Sequence, residues 1–266
     1  MTTLSTHDTK RSEDVRARLL LLAEDPAGWA PLARQLVTAG VTRGLDPACS
    51  YLLAQTLVGA WPLSGERLAD YLTKASKEAK LLTSWIDPDP GYDAVVRETA
   101  FALATDADVA RAVGGWLEER AEADLTASLS AKLVQLLMPG VPDCYQGCET
   151  TDRSLVDPDN RRPVDHDRLR AHLATGADLK QRLVATALRL RRSHPALVGP
   201  QGNYAPLDVD DDRWVAFTRG DAIAVIAPRR PLATSHTAGP DPARHLGSGW
   251  RDLLPGLPVR LLLRAA

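Results

Sequence analysis

Between residues 13 and 192 the apolar positions recur at helical spacing. In residues 14 to 23, Val15, Leu19 and Leu22 share one face, Ser12 stands at the N-cap position, and Glu13 and Asp14 fall in the first turn, where carboxylates suit the helix dipole. A second helix is predicted over residues 66 to 80. Leu68, Leu72, Ala75 and Ala79 form its inward stripe, and Asp70, Lys74 and Glu78 stand at i,i+4 pairing distance. Val109, Val113, Trp116 and Leu117 repeat the spacing, as do Leu179, Leu183 and Leu190. After Pro195 the period falls to two: Trp214, Ala216 and Thr218 alternate with Val215 and Phe217. The turn Arg219-Gly220-Asp221 and the apolar run 222 to 227 complete a predicted β-hairpin. Residues 259 to 263 add a strand, and residues 228 to 249, rich in Pro, Gly, His and Thr, read as a long loop. The change of pattern sets a boundary near His194 and Pro195.

Composition narrows the class without naming a function. The 266 residues allow about two domains at roughly 150 residues each. With 44% hydrophobic and 25% charged residues, the chain has globular composition. A net charge of −2 gives no electrostatic footprint for nucleic acid, so no nucleic-acid partner is expected. No apolar run approaches the ~20 residues a membrane span needs, and the N-terminus lacks the pattern of a signal peptide. The expectation is a cytoplasmic protein with no membrane partner. Cys49, Cys144 and Cys148 form no CxxC and are expected as free thiols, although Cys144 and Cys148 stand close enough in sequence to pair.

Two segments concentrate chemistry-bearing residues. His7-Asp8 follows the β-compatible stretch 2 to 6 and precedes the first helix, and so stands at the C-terminal end of a strand, where parallel α/β folds bind ligands. The alternative is that Asp8 caps the helix. The second segment joins MPGVPDCYQG, residues 138 to 147, to LVDPDNRRPVD, residues 155 to 165. Residues 141 to 145 can form a short strand, while Asp157, Asp159, Asn160, Arg161 and Arg162 offer donors and acceptors for a hydroxylated ligand or a solvated loop of ion pairs. Asp165, His166, Asp167 and His172 lack zinc spacing, and Asp208, Asp210, Asp211 and Asp212 lack the glycine of a calcium loop. No metal site or cofactor is expected. No GxSxG, phosphate-binding loop or dinucleotide fingerprint occurs. Trp61, Trp85 and Trp116 suit core packing, but Trp85, after Thr83 and Ser84, could also stack a sugar ring.

STHDTKRSEDVRAR at 5 to 18, DYLTKASKEAKLLTSW at 70 to 85, MPGVPDCYQG, LVDPDNRRPVD and LRLRRSHPAL at 188 to 197 together resemble the maltooligosyl trehalose synthase family. That family belongs to the α-amylase superfamily. The resemblance implies an intramolecular glucosylmutase that converts the reducing-end α-1,4 linkage of a maltooligosaccharide to an α,α-1,1 linkage. It implies an α/β fold: the C-terminal part of a (β/α)8 barrel, with only its last two strands, a large helical insertion and a small antiparallel β-domain. Residues 1 to 23 and 131 to 195 would be barrel, 24 to 130 the insertion, and 196 to 266 the β-domain.

By the same resemblance Asp8 is the third carboxylate of the site, bonding the 2- and 3-hydroxyls of the bound glucose, and His7 contacts that sugar. Lys10, Arg11, Trp85, Arg161 and Arg162 are further candidates for sugar contacts. A retaining site needs a nucleophile and an acid about 5 to 5.5 Å apart. In this superfamily those lie on earlier strands, so the chain alone is expected to be inactive and to require the N-terminal half of the barrel as partner. It departs from the family pattern at Cys148-Glu149-Thr150-Thr151-Asp152, where an acidic residue and an aromatic sugar platform are expected. Rival readings are a non-catalytic carbohydrate-binding or scaffold unit, and part of an α-glucan hydrolase that admits water.

Overall fold

A computed structural model describes residues 1 to 156 and 159 to 265, the side chain of Asn160 excepted. Asp157 and the Asn160 side chain therefore lie outside the described residues. Helix α1 (Glu13–Glu24) is followed by α2 (Pro26–Thr42), α3 (Pro47–Ala60), α4 (Gly65–Ala79), α5 (Pro90–Thr105), α6 (Ala107–Glu118) and α7 (Ala121–Leu137). Asp-Pro steps start three of them. The Asp25, Asp46 and Asp89 carboxylates accept N–H bonds of the first turns of α2, α3 and α5, while the following proline occupies a position whose N–H would be orphaned anyway. Leu21, Leu36, Leu53, Leu57, Leu68 and Leu72 fill the core shared by these helices.

The predicted stripe of α4 holds only in part. Leu68 and Leu72 are buried, but Ala75 is half-buried and Ala79 exposed, because the helix ends at Lys80 in the left-handed region. Lys74 pairs with Glu78 at 2.9 Å, whereas Asp70 turns to Arg97 on α5 at 2.7 Å.

Past a 3-10 turn (Asp159–Arg161), α8 (His166–Thr175), α9 (Leu179–Ser193) and α10 (Pro195–Val198) lead into a sheet. Its strands are β1 (Tyr204–Pro206), β2 (Trp214–Arg219), β3 (Ile223–Pro228), β4 (Trp250–Asp252) and β5 (Arg260–Arg264), ordered β1-β2-β3-β5-β4 and antiparallel throughout. β3 is buried along its whole length. Val225 and Ala227 share a core with Leu133 of α7 and Leu183 of α9, while Ala224 and Ile226 pack on the opposite face with Val209 and Leu262. Cover on both faces explains the uninterrupted apolar run. The expected loop 228 to 249 carries two short helices, α11 (Pro231–Thr234) and α12 (Pro242–Leu246).

The stretches 2 to 6 and 141 to 145 do not form strands. They meet in one parallel bridge, Thr2 with Pro142, in which the Thr2 N–H donates to Val141 O at 2.9 Å and the Asp143 N–H to Thr2 O at 2.8 Å. Pro142 has no N–H to extend the ladder, and a lone pair of short strands has little stability. Gly140, at φ 132°, lets the chain approach Thr2, whose methyl would stand 3.0 Å from an added Cβ. The described residues therefore form a helical body with a small antiparallel sheet. All three cysteines are free. Among the described residues no helix is long and apolar enough to cross a membrane.

Candidate functional site

Residues 6 to 12 form a loop whose base is fixed from within. The Glu13 N–H donates to Ser5 Oγ at 2.8 Å, so Ser5, not Asp8, meets the start of α1. Ser12 occupies the N-cap position without a side-chain cap; its hydroxyl donates instead to Asp152 O at 2.6 Å. Inside the loop, Thr9 Oγ1 donates to Thr6 O at 3.0 Å and the Asp8 N–H to Thr6 Oγ1 at 3.1 Å. Lys10 takes a φ of 61°, and its carbonyl accepts the Val156 N–H at 2.9 Å. At the tip, His7 Nε2 lies 3.4 Å from Asp8 Oδ2, with the two side chains 73% and 82% exposed.

The second segment docks against this loop. Ser154 O accepts the Ser12 N–H at 3.1 Å, and Arg11 bridges Leu155. Asp159 turns the chain back by accepting the Leu155 N–H at 2.8 Å, while Arg67 Nε binds its other oxygen at 2.6 Å. Arg162 pairs with Asp159 at 2.7 Å with its head exposed, and Arg161 is exposed on the same turn. Lys10 and Arg11 line a cavity of about 570 Å³ facing Tyr71, Lys74 and Glu78 of α4. The hydrogen bond from Lys74 holds the Glu78 carboxyl below its ordinary range. Trp85 is not among the lining residues. Its exposed ring stands on the loop after α4 with the Lys77 ammonium 5.3 Å from its centroid.

Beneath the loop lies a network of buried charges that the sequence pattern did not reveal. Glu13 Oε1 is 2.7 Å from Lys132 Nζ and 2.8 Å from Lys180 Nζ, and Asp14 Oδ2 is 2.6 Å from Lys180 Nζ. Arg18 and Arg153 converge on Asp124 at 2.8 and 2.7 Å. Burial works against the Lys180 charge, but attraction by Asp14 and Glu13 prevails and raises its pKa. Burial lowers that of Arg18 against its bonds to Asp124. Burial also raises the Asp152 carboxyl, against its bonds from Ser154. The signal for this network was Lys132, which follows Leu129 and precedes Leu133 and Leu136 on the buried part of α7. A lysine there requires a carboxylate partner.

Chemically, the loop presents one exposed carboxylate on a pinned frame, able to accept hydrogen bonds from hydroxyl groups, with lysine and arginine donors beside it. Among the described residues no group of three or more His, Cys, Asp or Glu stands where it could hold a metal ion.

No family model matches the chain. It is 41% identical over 271 residues to proteins of two Mycobacterium tuberculosis strains provisionally named maltooligosyl trehalose synthase, covering 96% of this chain and 34% of theirs. The solved maltooligosyltrehalose synthase of Arthrobacter ramosus is 37% identical with a TM-score of 0.82, covering 100% of this chain and 38% of that one. The solved structure of a hypothetical maltooligosyl trehalose synthase from Sulfolobus tokodaii is 26% identical, also with a TM-score of 0.82, covering 98% of this chain and 38% of that one. The chain thus spans about a third of the length of the relatives it matches.

Proposed function

From this correspondence to the C-terminal part of the maltooligosyl trehalose synthases, we propose that the chain supplies one wall of a glucosylmutase site. Asp8 bonds the ring hydroxyls of the glucose being transferred, and His7 holds the same sugar. Lys10 and Arg11 donate from the adjoining cavity wall, Arg161 and Arg162 from the loop that closes on it, and Trp85 provides a stacking face farther along the glucan. The nucleophile and general acid come from the part of the relatives that this chain does not span, so the isolated chain is inactive. In this reading the bridge between Thr2 and Pro142 marks the last two strands of a (β/α)8 barrel. Residues 1 to 23 and 131 to 195 are its share of that barrel, 24 to 130 an insertion and 196 to 266 the β-domain. Its partners are the remaining barrel half and a maltooligosaccharide.

The observation that carries the reading is the state of Asp8: the loop around it is tied at both ends, while its own carboxylate meets His7 and solvent. Two outcomes test it. The chain alone leaves maltopentaose unchanged. Joined behind the N-terminal part of the Mycobacterium relative, it isomerises the reducing end, and Asp8→Asn lowers kcat on the order of 100-fold, about 3 kcal/mol, at an unchanged melting temperature. Unchanged kcat removes Asp8 from the site; a hybrid releasing mainly glucose makes the enzyme a hydrolase.

A further inference from the structure

Arg11 carries a charge that nothing among the described residues neutralises. Its Nη1 and Nη2 donate to Gln55 Oε1 at 3.4 Å and Thr56 Oγ1 at 3.2 Å, both uncharged, and its Nε is buried without an acceptor. Arg16, one turn into α1, opens onto the same cavity of about 570 Å³ and has no carboxylate within ion-pair distance among the described residues. Lys10 and Lys74 line it too. Among the described residues the one acidic side chain in the wall, Glu78, is shared between them at 3.5 and 2.9 Å. A partly buried guanidinium without a counter-charge is costly, and its flat fork of donors matches phosphate oxygens in pairs. The other wall, with Leu52 and Tyr71, is apolar enough to hold the face of a ring.

We propose that this cavity binds a phosphate-bearing small molecule, the phosphate on Arg11 and Arg16 and a sugar-sized remainder against Tyr71. The binding itself is independent of the glucosylmutase reading. One consequence rests on that reading: a phosphorylated sugar here occupies Lys10 and Arg11 and so competes with the glucan.

Calorimetry on the chain itself, at low ionic strength, tests the site with inorganic phosphate, glucose 6-phosphate and glucose as separate probes. Inorganic phosphate and glucose 6-phosphate bind, the latter more tightly, while glucose does not. Arg11→Gln and Arg16→Gln each weaken binding about tenfold. Arg16 is exposed, so Arg16→Gln keeps its melting temperature and decides the matter even where Arg11→Gln unfolds. Three results overturn the proposal. Neither phosphate probe binds below about 10 mM; both bind Arg16→Gln as well as the parent chain, which makes the effect an adventitious ion only; or glucose binds as tightly as its phosphate, which makes the cavity a neutral sugar subsite. None of these touches the Asp8 experiment, whose failure in turn leaves phosphate binding intact.

Discussion

The loop tip at His7 and Asp8 and the start of α1 at Glu13, Asp14 and Arg18 belong to one charged segment, yet the fold treats these two sets of charges oppositely. In the first, His7 and Asp8 stand in solvent. In the second, Glu13, Asp14 and Arg18 are almost wholly excluded from it and each has a buried partner of opposite charge. The difference separates what the segment presents from what holds it. Exposed charges at a loop tip contribute little to folding and remain available for a ligand, whereas buried ones must be matched or the fold loses stability.

The contrast breaks first at Lys180. Lys180→Met leaves the Asp14 carboxylate, and in part that of Glu13, buried without its cation, and should cost about 3 to 5 kcal/mol, a fall in melting temperature of about 10 °C. A loss under about 1 kcal/mol would show that water reaches these carboxylates.

Arg219 sharpens the comparison, because this buried guanidinium is held by carbonyls instead of carboxylates. It donates to Leu137 O and Val198 O, each at 2.9 Å, tying the end of α7 to the sheet, and burial lowers its pKa. Arg219→Met should cost about 2 kcal/mol in denaturant unfolding, less than Lys180→Met because no opposite charge is stranded. A loss equal to or larger than that at Lys180 would reverse the ranking.

The third effect depends on pH. Burial raises the Asp152 carboxyl above its ordinary 3.8, so the folded chain holds that proton more tightly than the unfolded one. The corresponding stability is complete below the unfolded value and is lost as pH rises through the folded one. Melting temperatures of the parent chain minus those of Asp152→Asn should therefore decline as pH climbs from about 4 toward neutrality. A difference that stays flat or rises would contradict the direction of the shift.

The smallest effect belongs to the loop tip. His7→Ala should change folding stability by less than about 0.5 kcal/mol, since the pair it leaves is solvated. A larger loss would make the tip part of the scaffold.

Periodicity revealed what depends on neighbours a few residues away. The stripe of α1, the hairpin of β2 and β3 and the inward Leu68 and Leu72 of α4 were legible because each follows from its own spacing. The loop sequence pointed to His7 and Asp8 as site candidates, and the Asp8→Asn experiment decides that reading. What stayed hidden depends on distant partners. Glu13 and Asp14 looked like first-turn residues suited to a dipole, and only the return of α7 and α9 brings Lys132 and Lys180 to them. The stretches 2 to 6 and 141 to 145 carried strand-like residues, but a strand needs a sheet around it, and one bridge is what these two make alone. The Asp-Pro steps that start α2, α3 and α5 were local and readable, and would have set those helix starts.

The bond between the Glu13 N–H and Ser5 Oγ spans eight residues, and Ser154 O fixes the neighbouring Ser12 N–H. Both feet of the loop are thereby anchored independently of the span between them. Closing a longer flexible span costs only about 0.6 kcal/mol per doubling of its length. Residues 6 to 9, which end where the Lys10 carbonyl holds the Val156 N–H, consequently behave as a cassette: their number and reach can drift, or be redesigned, while α1 and the charges beneath it keep their places.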